Sequence, residues 1–314
     1  MGIEKRLPAI LALLLFTASA CGGASVAPSP TLAPSPTAAY PVTVVDDRGK
    51  SLTLGVAPAR IVSLAPSATE ILFALGAGDR IVATDDFSDY PAEAKALPKV
   101  GGSRTSPEKI VALKPDLILA ISSGNLPAQL ESLNQPLFVF DPNDLEGVYR
   151  NIVGVGQLVG REQPARDVVA DMRARISAIA DKAKQASNKP KILHEVDSTD
   201  PARIYVAGPR NFIDSMITLC GGINVAADAS AKFPRLSAEE IIARAPEVIV
   251  LADFRFGTTP EIVMARPGWS SIPAVRSRAI YPIDDDLVSR PGPRLVLGFE
   301  AYARIIHPEL FGKP

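Results

Sequence analysis

The sequence predicts an α/β protein of two lobes, each with a mostly parallel central sheet, joined by one long helix. From Val42 onward, short and continuously apolar segments alternate with segments of helical periodicity. In addition, one helix–strand unit occurs twice in the chain. Continuous apolar runs are typical of strands buried on both faces, and alternation with helices favours parallel sheets. With 314 residues, of which 47% are apolar types, the chain is long enough for about two domains.

The predicted strands are spread over both halves of the chain. They are RIVSL (60–64), RIVAT (80–84), DLILAI (116–121), LFVF (137–140), KILHEV (191–196), EVIVLA (247–252) and AIYPI (279–283). Helical segments such as SATEILFALG and SPEKIVALK lie between them. This spacing is typical of helices that cross over between parallel strands.

The repeated unit links residues 106–120, SPEKIVALKPDLILA, to residues 237–251, SAEEIIARAPEVIVL. Six residues recur in register, 131 positions apart (237 minus 106). Each copy predicts a capped short helix, a proline that ends it and a buried strand. The repeat indicates two related lobes, although chance convergence on a common helix–strand unit is an alternative.

The N-terminus predicts a targeting segment followed by a tether. Residues 1–20 contain two basic residues and the apolar run PAILALLLFTA, and they lead into Cys21. This pattern resembles a bacterial lipoprotein signal with Cys21 lipidated, although Ala18 replaces the usual Leu and an ordinary secretory signal is the alternative. Residues 21–41 are rich in Pro, Ser, Thr and Ala, which predicts an extended tether without a core.

The remaining chain divides into an N-terminal lobe at 42–160, a connecting helix at 161–187 and a C-terminal lobe at 188–314. Apolar residues recur through the connector at helical spacing, at Ala165, Val168, Val169, Met172, Ile176, Ile179, Ala180 and Ala183. We expect this single stiff connector to allow a rocking of the lobes rather than a wide hinge closure.

Several function classes lack support in the sequence. The formal net charge of −1 gives no broad basic field for nucleic acid, and two cysteines with two histidines cannot build a zinc-type cluster, so we expect no bound metal. The sequence has no nucleophile elbow, P-loop or HExxH motif. The segment GVGQLVG at 154–160 lies within a helical pattern and is interpreted as structural. We therefore expect binding rather than catalysis and no cofactor.

Loops that follow the predicted strands carry the candidate ligand-binding residues, because open α/β sheets bind ligands there. These are Phe87, Tyr90, Arg104, Tyr205, Phe233, Asp286 and Arg290. A set dominated by aromatic rings with a few charges suits a large, flat, partly polar ligand. For each ring alone, packing in the core is the alternative.

Two glutamates begin predicted helices. In SATE, Ser67 and Glu70 match a capping box, which would explain Glu70 fully. In SAEE, Glu240 holds the capping position and Glu239 is left in the first turn with no capping role. One carboxylate in each lobe, Glu70 and Glu239, is therefore expected on the surface near the lobe ends.

Longer segments then resemble a known family, from about Tyr40 to the C-terminus. They include RIVSLAPSATEILFALGAGDRIVATDDFSDYPAEA, FIDSMITLCGGINVAAD, FPRLSAEEIIARAPEVIV and RPGPRLVLGFEAYARIIHPELF. Together with SPEKIVALKPDLILA, they resemble the helical-backbone solute-binding proteins of ABC importers for cobalamin, haem and iron–siderophores. Within that family, FSDYP is most similar to the vitamin B12-binding branch.

The resemblance implies two Rossmann-like lobes with the ligand between them. Phe87 is similar to the aromatic residue that packs on the corrin, Tyr205 and Phe233 fall where that branch has aromatics, and Asp286 falls where it has a ligand-contacting acid. Glu70 and Glu239 match glutamates that dock on the permease. However, the tryptophans that cobalamin binders often carry after their second and third strands are absent here, where Ser103 or Arg104 and Ile121 stand.

The expected protein is thus a monomeric, lipid-anchored binding protein on the outer face of the cytoplasmic membrane. It would deliver cobalamin to an ABC permease dimer with its ATPase subunits. Haem or an iron–siderophore is the alternative ligand, since Arg104 and Arg290 could meet carboxylates. An exported α/β enzyme is the third hypothesis.

Overall fold

Two central sheets, one in each half of the chain, organise the structure. The computed structural model describes residues 40–102 and 105–314. The strands are Val42–Val45 (β1), Ser51–Leu54 (β2), Ile61–Leu64 (β3), Ile81–Asp85 (β4), Lys99–Gly101 (β5), Leu117–Ile121 (β6), Leu137–Phe140 (β7), Lys191–Asp197 (β8), Arg203–Val206 (β9), Ile223–Asn224 (β10), Arg235–Ser237 (β11), Val248–Leu251 (β12) and Ile280–Pro282 (β13). The helices are Pro66–Ala74 (α1), Pro107–Val111 (α2), Leu126–Ser132 (α3), Leu145–Leu158 (α4), Glu162–Ala183 (α5), Phe212–Leu219 (α6), Ala238–Arg244 (α7), Pro260–Met264 (α8), Pro273–Ser277 (α9), Asp285–Val288 (α10), Leu295–Ile306 (α11) and Pro308–Phe311 (α12).

The N-terminal sheet has five strands in the order β5–β4–β3–β6–β7, and every pairing within it is parallel. All residues of β3 and β7 are buried, as the continuous apolar runs predict. The sheet separates two apolar layers, one of which contains helix α2 and part of α3. The four strands predicted in this half are confirmed. The short β5 and the antiparallel hairpin β1–β2 are additional.

The C-terminal sheet is mixed, in the order β11–β9–β8–β12–β13, with β10 also paired to β8. The pairs β8–β12 and β12–β13 are parallel, whereas β9 runs antiparallel to both β8 and β11. Strand β11 therefore runs in the same direction as β8. The three strands predicted here, β8, β12 and β13, are confirmed as the parallel part of the sheet.

The internal repeat corresponds to the same local structure in both lobes. Ser106 caps α2 by accepting a hydrogen bond from the Lys109 backbone N–H, and α2 leads into β6. In the second copy, Ser237 and Glu240 form the predicted capping box at the start of α7, which leads into β12. Both strands lie beside the central strand of their own sheet. The two copies are therefore equivalent units of two related lobes.

Helix α5 lies between the two sheets in the chain and packs against elements of both lobes. At about 1.5 Å per residue, its 22 residues span roughly 33 Å. Its buried side chains follow the periodicity of the sequence, at Ala165, Val169, Met172, Ile176, Ile179 and Ala183. They contribute to one apolar core that also takes in α1 and α4 from the first lobe and α6 and α11 from the second. The lobes thus share a core around α5.

Two buried residues of the C-terminal lobe contact helix α11. His194 of β8 is fully buried, and its Nδ1 contacts the Tyr302 hydroxyl on α11. The Cys220 thiol, also fully buried, donates a weak hydrogen bond to the Phe299 carbonyl at 3.4 Å. His194 therefore links the sheet to α11, and Cys220 links the end of α6 to α11.

Candidate functional site

Each lobe carries a cavity at the carboxyl ends of its parallel strands. In the C-terminal lobe, a cavity of about 740 Å³ is lined by residues 196–201, at the end of β8 and in the loop after it, by residues 253–258 after β12, and by residues 262–267. In the N-terminal lobe, a smaller cavity of about 190 Å³ is lined by residues that follow β4, β5 and β6. Strand ends of open α/β sheets are where ligands bind. We call the surface that lines the cavity of the C-terminal lobe the C-wall and the surface that lines the cavity of the N-terminal lobe the N-wall.

The two walls face each other across the boundary between the lobes. The loop after β4 meets the segment after β13, where the Arg290 guanidinium donates to Asp89 Oδ1 at 2.8 Å. A second ion pair joins Asp141, directly after β7, to Lys232 of the other lobe at 2.7 Å. Asp89 and Asp141 follow strands of the N-terminal sheet, and Arg290 follows β13, which is parallel to β12. These contacts therefore bring the carboxyl ends of the parallel strands of the two sheets toward each other. The N-wall and C-wall are therefore opposite sides of one cleft.

A buried ionic cluster closes one flank of this cleft. Arg294 donates to Glu70 from Nε at 2.9 Å and from Nη2 at 2.6 Å, and Arg290 Nη1 reaches the same carboxylate at 3.3 Å. Arg290 also pairs with Asp286 at 2.7 Å, in addition to Asp89. The Glu70 side chain is only 2% exposed. The cluster joins α1 and the β4 loop of the first lobe to α10 and α11 of the second.

This cluster corrects the interpretation of Glu70. The sequence suggested that Ser67 and Glu70 form a capping box and that Glu70 is presented on the surface, and both expectations are wrong. Helix α1 begins earlier, at Pro66 after Ala65, because proline is favoured in the first helical turn. Glu70 is then the fifth helical residue, too far along to cap the helix, and its carboxylate is buried against Arg294.

Exposed phenylalanines stand on both sides of the cleft. Phe87 lines the N-wall and its side chain is 60% exposed, so a core role for this ring is excluded. Phe256 lines the C-wall and is 75% exposed. Phe256 is not among the residues predicted from the sequence, although it also lies in a loop that follows a buried strand, as Phe87 does. It lies in DFRFG, directly after the buried strand β12.

The other predicted aromatics have different surroundings. Tyr90 is 46% exposed, but the Arg294 guanidinium covers one face of its ring at 3.9 Å from the centroid. Phe233 is exposed in the loop before β11, as predicted. Tyr205 does not lie in a loop, which corrects the prediction. It is inside β9 opposite Asp197, the last residue of β8, because the short antiparallel strands of this edge were not recognised in the sequence.

Two of the predicted charged residues, Asp286 and Arg290, are already paired. Asp286 lies between Arg290 at 2.7 Å and Arg255 at 3.1 Å, and Arg290 has carboxylate partners in both lobes. Both belong to the flank of the cleft rather than to either wall. Arg104 and Cys21 lie outside the described residues, so their predicted roles stay predictions.

Carboxylates gather next to this flank at Asp284, Asp285 and Asp286, with ligand atoms within 4.8 Å of one another. Arg255 pairs with Asp284 and Asp286, and Arg290 pairs with Asp286 again. The arginines balance most of this negative charge, so the group is better explained as an ionic network than as a metal centre.

The C-wall is built around two buried carboxylates. Asp253 is 3% exposed, and its Oδ2 accepts hydrogen bonds from Ser198 N at 3.1 Å, Ser198 Oγ at 2.6 Å and Thr258 Oγ1 at 2.8 Å. These bonds tie the loop after β8 to the loop after β12. Deeper in the wall, the terminal nitrogens of Arg266 donate to both oxygens of Glu195 at 2.7 and 2.6 Å.

A carboxyl group also lies at the base of the N-wall. Asp85, the last residue of β4, is 7% exposed and accepts a hydrogen bond from Ser88 N at 2.8 Å. Burial raises the pKa of Asp85 above its ordinary value, although the Ser88 bonds and the positive charges of Lys99 and Arg290 act in the opposite direction. The walls of the cleft thus present acidic groups more than basic ones among the described residues.

Two exposed glutamates, Glu108 and Glu239, flank the cleft. Glu239 lies in the first turn of α7, and Glu108 lies in the first turn of α2. They are 131 positions apart (239 minus 108), which is the spacing of the internal repeat. Because α2 follows β5 and α7 follows β11, both helices begin at the cleft edge of their sheet. The equivalent of Glu239 in the first lobe is therefore Glu108 and not Glu70.

Comparison with known proteins agrees with this architecture. The sequence profile described as "Periplasmic binding protein" matches residues 61–287. The chain belongs to this family. It is 35% identical over 279 residues to the uncharacterised ABC transporter substrate-binding lipoprotein YvrC of Bacillus subtilis, covering 87% of each chain. It is 34% identical over 250 residues to the vitamin B12-binding protein of Vibrio parahaemolyticus, covering 78% of this chain and 88% of that protein.

Solved structures of the same fold include a haem-binding relative. The periplasmic haem-binding protein RhuT of Roseiflexus sp. RS-1, in its apo form, superposes with a TM-score of 0.69 at 34% identity, covering 79% of this chain and 98% of that one. Among the helices that the structure describes, none combines the length and apolar character needed to cross a bilayer. The family and its neighbours are transporter binding proteins rather than enzymes.

Proposed function

We propose that this protein captures cobalamin or a related corrinoid outside the cytoplasmic membrane and delivers it to an ABC permease. The observation that carries the proposal is the pair of exposed rings, Phe87 on the N-wall and Phe256 on the C-wall. Exposed aromatic side chains on opposite sides of a cleft favour a large, flat ligand, because both of its faces can then be covered. The similarity to vitamin B12-binding proteins supports the choice of a corrinoid.

Haem is the second candidate ligand, and the similarity to RhuT favours it. In the described part of the walls, acidic groups outnumber basic ones, which speaks against haem, since its two carboxylates would approach Asp253 and Asp85. An iron–siderophore stays the third candidate. Titration calorimetry of the purified protein with cyanocobalamin, haemin and a ferric hydroxamate siderophore separates the three. Saturable binding of cyanocobalamin is expected, and binding of haemin alone would contradict the proposal.

The natural ligand can be identified without choosing probes. Protein purified natively from its own cells would be denatured, and the released small molecules would be identified by mass spectrometry. Corrinoids and haem also differ in visible absorbance, so the colour of the purified protein gives an early result. A corrinoid is expected, whereas a recovered porphyrin would favour the haem alternative.

The permease partner is proposed to dock on Glu108 and Glu239. Two equivalent acidic positions, one in each lobe, suit a two-fold symmetric permease dimer with one basic site on each subunit. Charge neutralisation by Glu108→Gln or Glu239→Gln should lower stimulation of the transporter's ATPase and leave ligand affinity unchanged. The matched control is Glu247→Gln, because Glu247 precedes β12 and lies at the opposite edge of the sheet. Equal effects of all three substitutions would contradict this docking surface.

The membrane attachment is proposed to be a lipid on Cys21, with residues 21–41 as a tether. The signal-like N-terminus and the similarity to a lipoprotein support this proposal. Cells that express the full chain should yield a form that partitions into detergent and is labelled by radioactive palmitate. Cys21→Ser should abolish the label. Persistence of the label in that variant would place the lipid elsewhere.

A further inference from the structure

Among the residues that the structure describes, two buried polar atoms of the C-wall have no hydrogen-bond partner. All three hydrogen bonds that Asp253 accepts go to Oδ2, and no described residue donates to its buried Oδ1. Arg266 gives both terminal nitrogens to Glu195, and within the described part of the chain its buried Nε–H has no acceptor. Asp253 and Arg266 both line the 740 Å³ cavity.

Such atoms are uncommon in folded proteins and call for an explanation, because a buried donor or acceptor without a partner is costly. Both side chains are fixed in place. Asp253 is held by Ser198 and Thr258, and the Arg266 guanidinium stacks on the Trp269 ring at 4.6 Å from its centroid. Neither can therefore turn away to satisfy the free atom by itself. Both residues line the cavity, so the nearest source of the missing partners is a molecule bound there, either a ligand or water.

The two free atoms differ in kind, since one accepts and the other donates. A carboxamide offers both complements, with an N–H for Asp253 Oδ1 and a carbonyl oxygen for Arg266 Nε. A carboxylate could satisfy only the donor and would be repelled by Asp253. The chemistry of the wall therefore favours a ligand that carries amides on its periphery over one that carries acids.

We propose that Asp253 and Arg266 form a subsite for a propionamide side chain of the bound ligand. This inference rests on the proposed function and narrows its ligand class. Corrinoids carry several carboxamide side chains around their ring, whereas haem carries carboxylates at the corresponding periphery. The subsite would thus be the part of the cleft that distinguishes these two flat macrocycles, which aromatic stacking alone accepts equally well.

The first test uses the intact protein and ligands that differ at single amides. Cyanocobalamin is compared by calorimetry with its three monocarboxylic acids, in each of which one propionamide is hydrolysed to a carboxylate. At least one of the acids is expected to bind about tenfold or more weakly, which corresponds to about 1.4 kcal/mol. Equal binding of all four corrinoids would overturn the subsite and leave the proposed function intact, since water could then serve both atoms.

The second test changes the acceptor itself. In Asp253→Asn, the three donors from Ser198 and Thr258 keep the amide oxygen at the position of Oδ2, so the amide nitrogen replaces Oδ1. The free atom becomes a donor, and discrimination against the disfavoured acid should be lost or reversed. The control is Asp200→Asn, which removes the same charge from an exposed position of the loop after β8 and should keep the discrimination.

The two tests distinguish a failure of the carboxamide subsite from a failure of the proposed function. Unchanged discrimination in a folded Asp253→Asn variant would overturn the subsite. If that variant does not fold, the comparison of the four corrinoids with the unaltered protein still decides. Failure of the unaltered protein to bind any corrinoid would overturn the proposed function together with the subsite.

Discussion

The ionic cluster on the flank of the cleft predicts a large effect for a small substitution, Glu70→Gln. Both carboxylate oxygens of Glu70 accept hydrogen bonds, Oε2 from Arg294 and Oε1 from Arg294 and Arg290. Glutamine keeps the shape of the side chain, but it removes the charge and turns one acceptor into an N–H₂ group that faces an arginine donor. The substitution therefore breaks the ion pair without creating a cavity.

The magnitude follows from burial. Removing one partner from a buried ion pair costs about 3–5 kcal/mol, because the remaining charge is left unpaired. Arg290 keeps Asp89 and Asp286, whereas Glu70 is the carboxylate partner of Arg294, whose side chain is 17% exposed. Water can therefore solvate part of the Arg294 guanidinium once its carboxylate partner is removed. We expect the lower end of this range, about 3 kcal/mol of the free energy of unfolding.

Equilibrium unfolding in urea, followed by circular dichroism, measures this loss. The control is Glu146→Gln, which breaks the ion pair with Arg173 on α5, where the side chains are 55% and 50% exposed. A pair of this exposure contributes only about 0–1 kcal/mol. If Glu70→Gln costs no more than Glu146→Gln, the cluster does not stabilise the contact between the lobes and the reasoning from burial is refuted.

Three further predictions concern pH, packing and binding. Burial lowers the pKa of His194 to about 3, below its unfolded value of about 6.5. Between these two pH values the unfolded chain binds more protons than the folded protein, so the free energy of unfolding decreases as the pH is lowered, by about 2 kcal/mol from pH 6.5 to pH 5. Urea unfolding at both pH values should show a smaller fall in His194→Gln, and an unchanged fall would assign the effect to other groups. Gly298→Ala should destabilise the protein strongly in thermal unfolding, because the added methyl group would contact the Leu287 carbonyl oxygen of the adjacent helix; a change in Tm below 1 °C would contradict this. Phe87→Ala and Phe256→Ala should each weaken cyanocobalamin binding about tenfold in calorimetry, and affinities within twofold of the unaltered protein would place the stacking site elsewhere.

The parallel parts of both sheets could be predicted from the sequence because their signals are local. Strands such as β3 and β12 are buried on both faces, so every residue is apolar and the run is visible without knowledge of its neighbours. The caps of α2 and α7 are also local, since Ser106 and Ser237 bond to groups three residues further on. The connecting helix α5 was visible for the same reason, as its buried positions follow one helical stripe.

The missed and wrong expectations depend on contacts between distant residues. Glu70 fits a capping pattern within four residues, but its actual partner Arg294 is 224 positions away. Strands β9 and β11 have four and three residues, too few for alternation to stand out, and their pairing with each other fixes the position of Tyr205. Phe256 could have been found, because the rule that loops after buried strands face the ligand applies equally to β12.

The structure also bears on how the ligand is captured. The lobes share an apolar core around α5, and ion pairs join them on both flanks of the cleft, at Arg290–Asp89 and at Lys232–Asp141. A wide opening would have to break both ion pairs and expose part of the shared core to water. Arg290 also reaches the Phe87 carbonyl oxygen at 3.4 Å, so the cluster that joins the lobes supports the loop that carries the proposed stacking ring. A cleft held in this way is largely preformed, which lowers the conformational entropy lost on binding. Under the proposed function, release at the permease would require force on both lobes at once, and the proposed docking positions Glu108 and Glu239, one in each lobe, would transmit it.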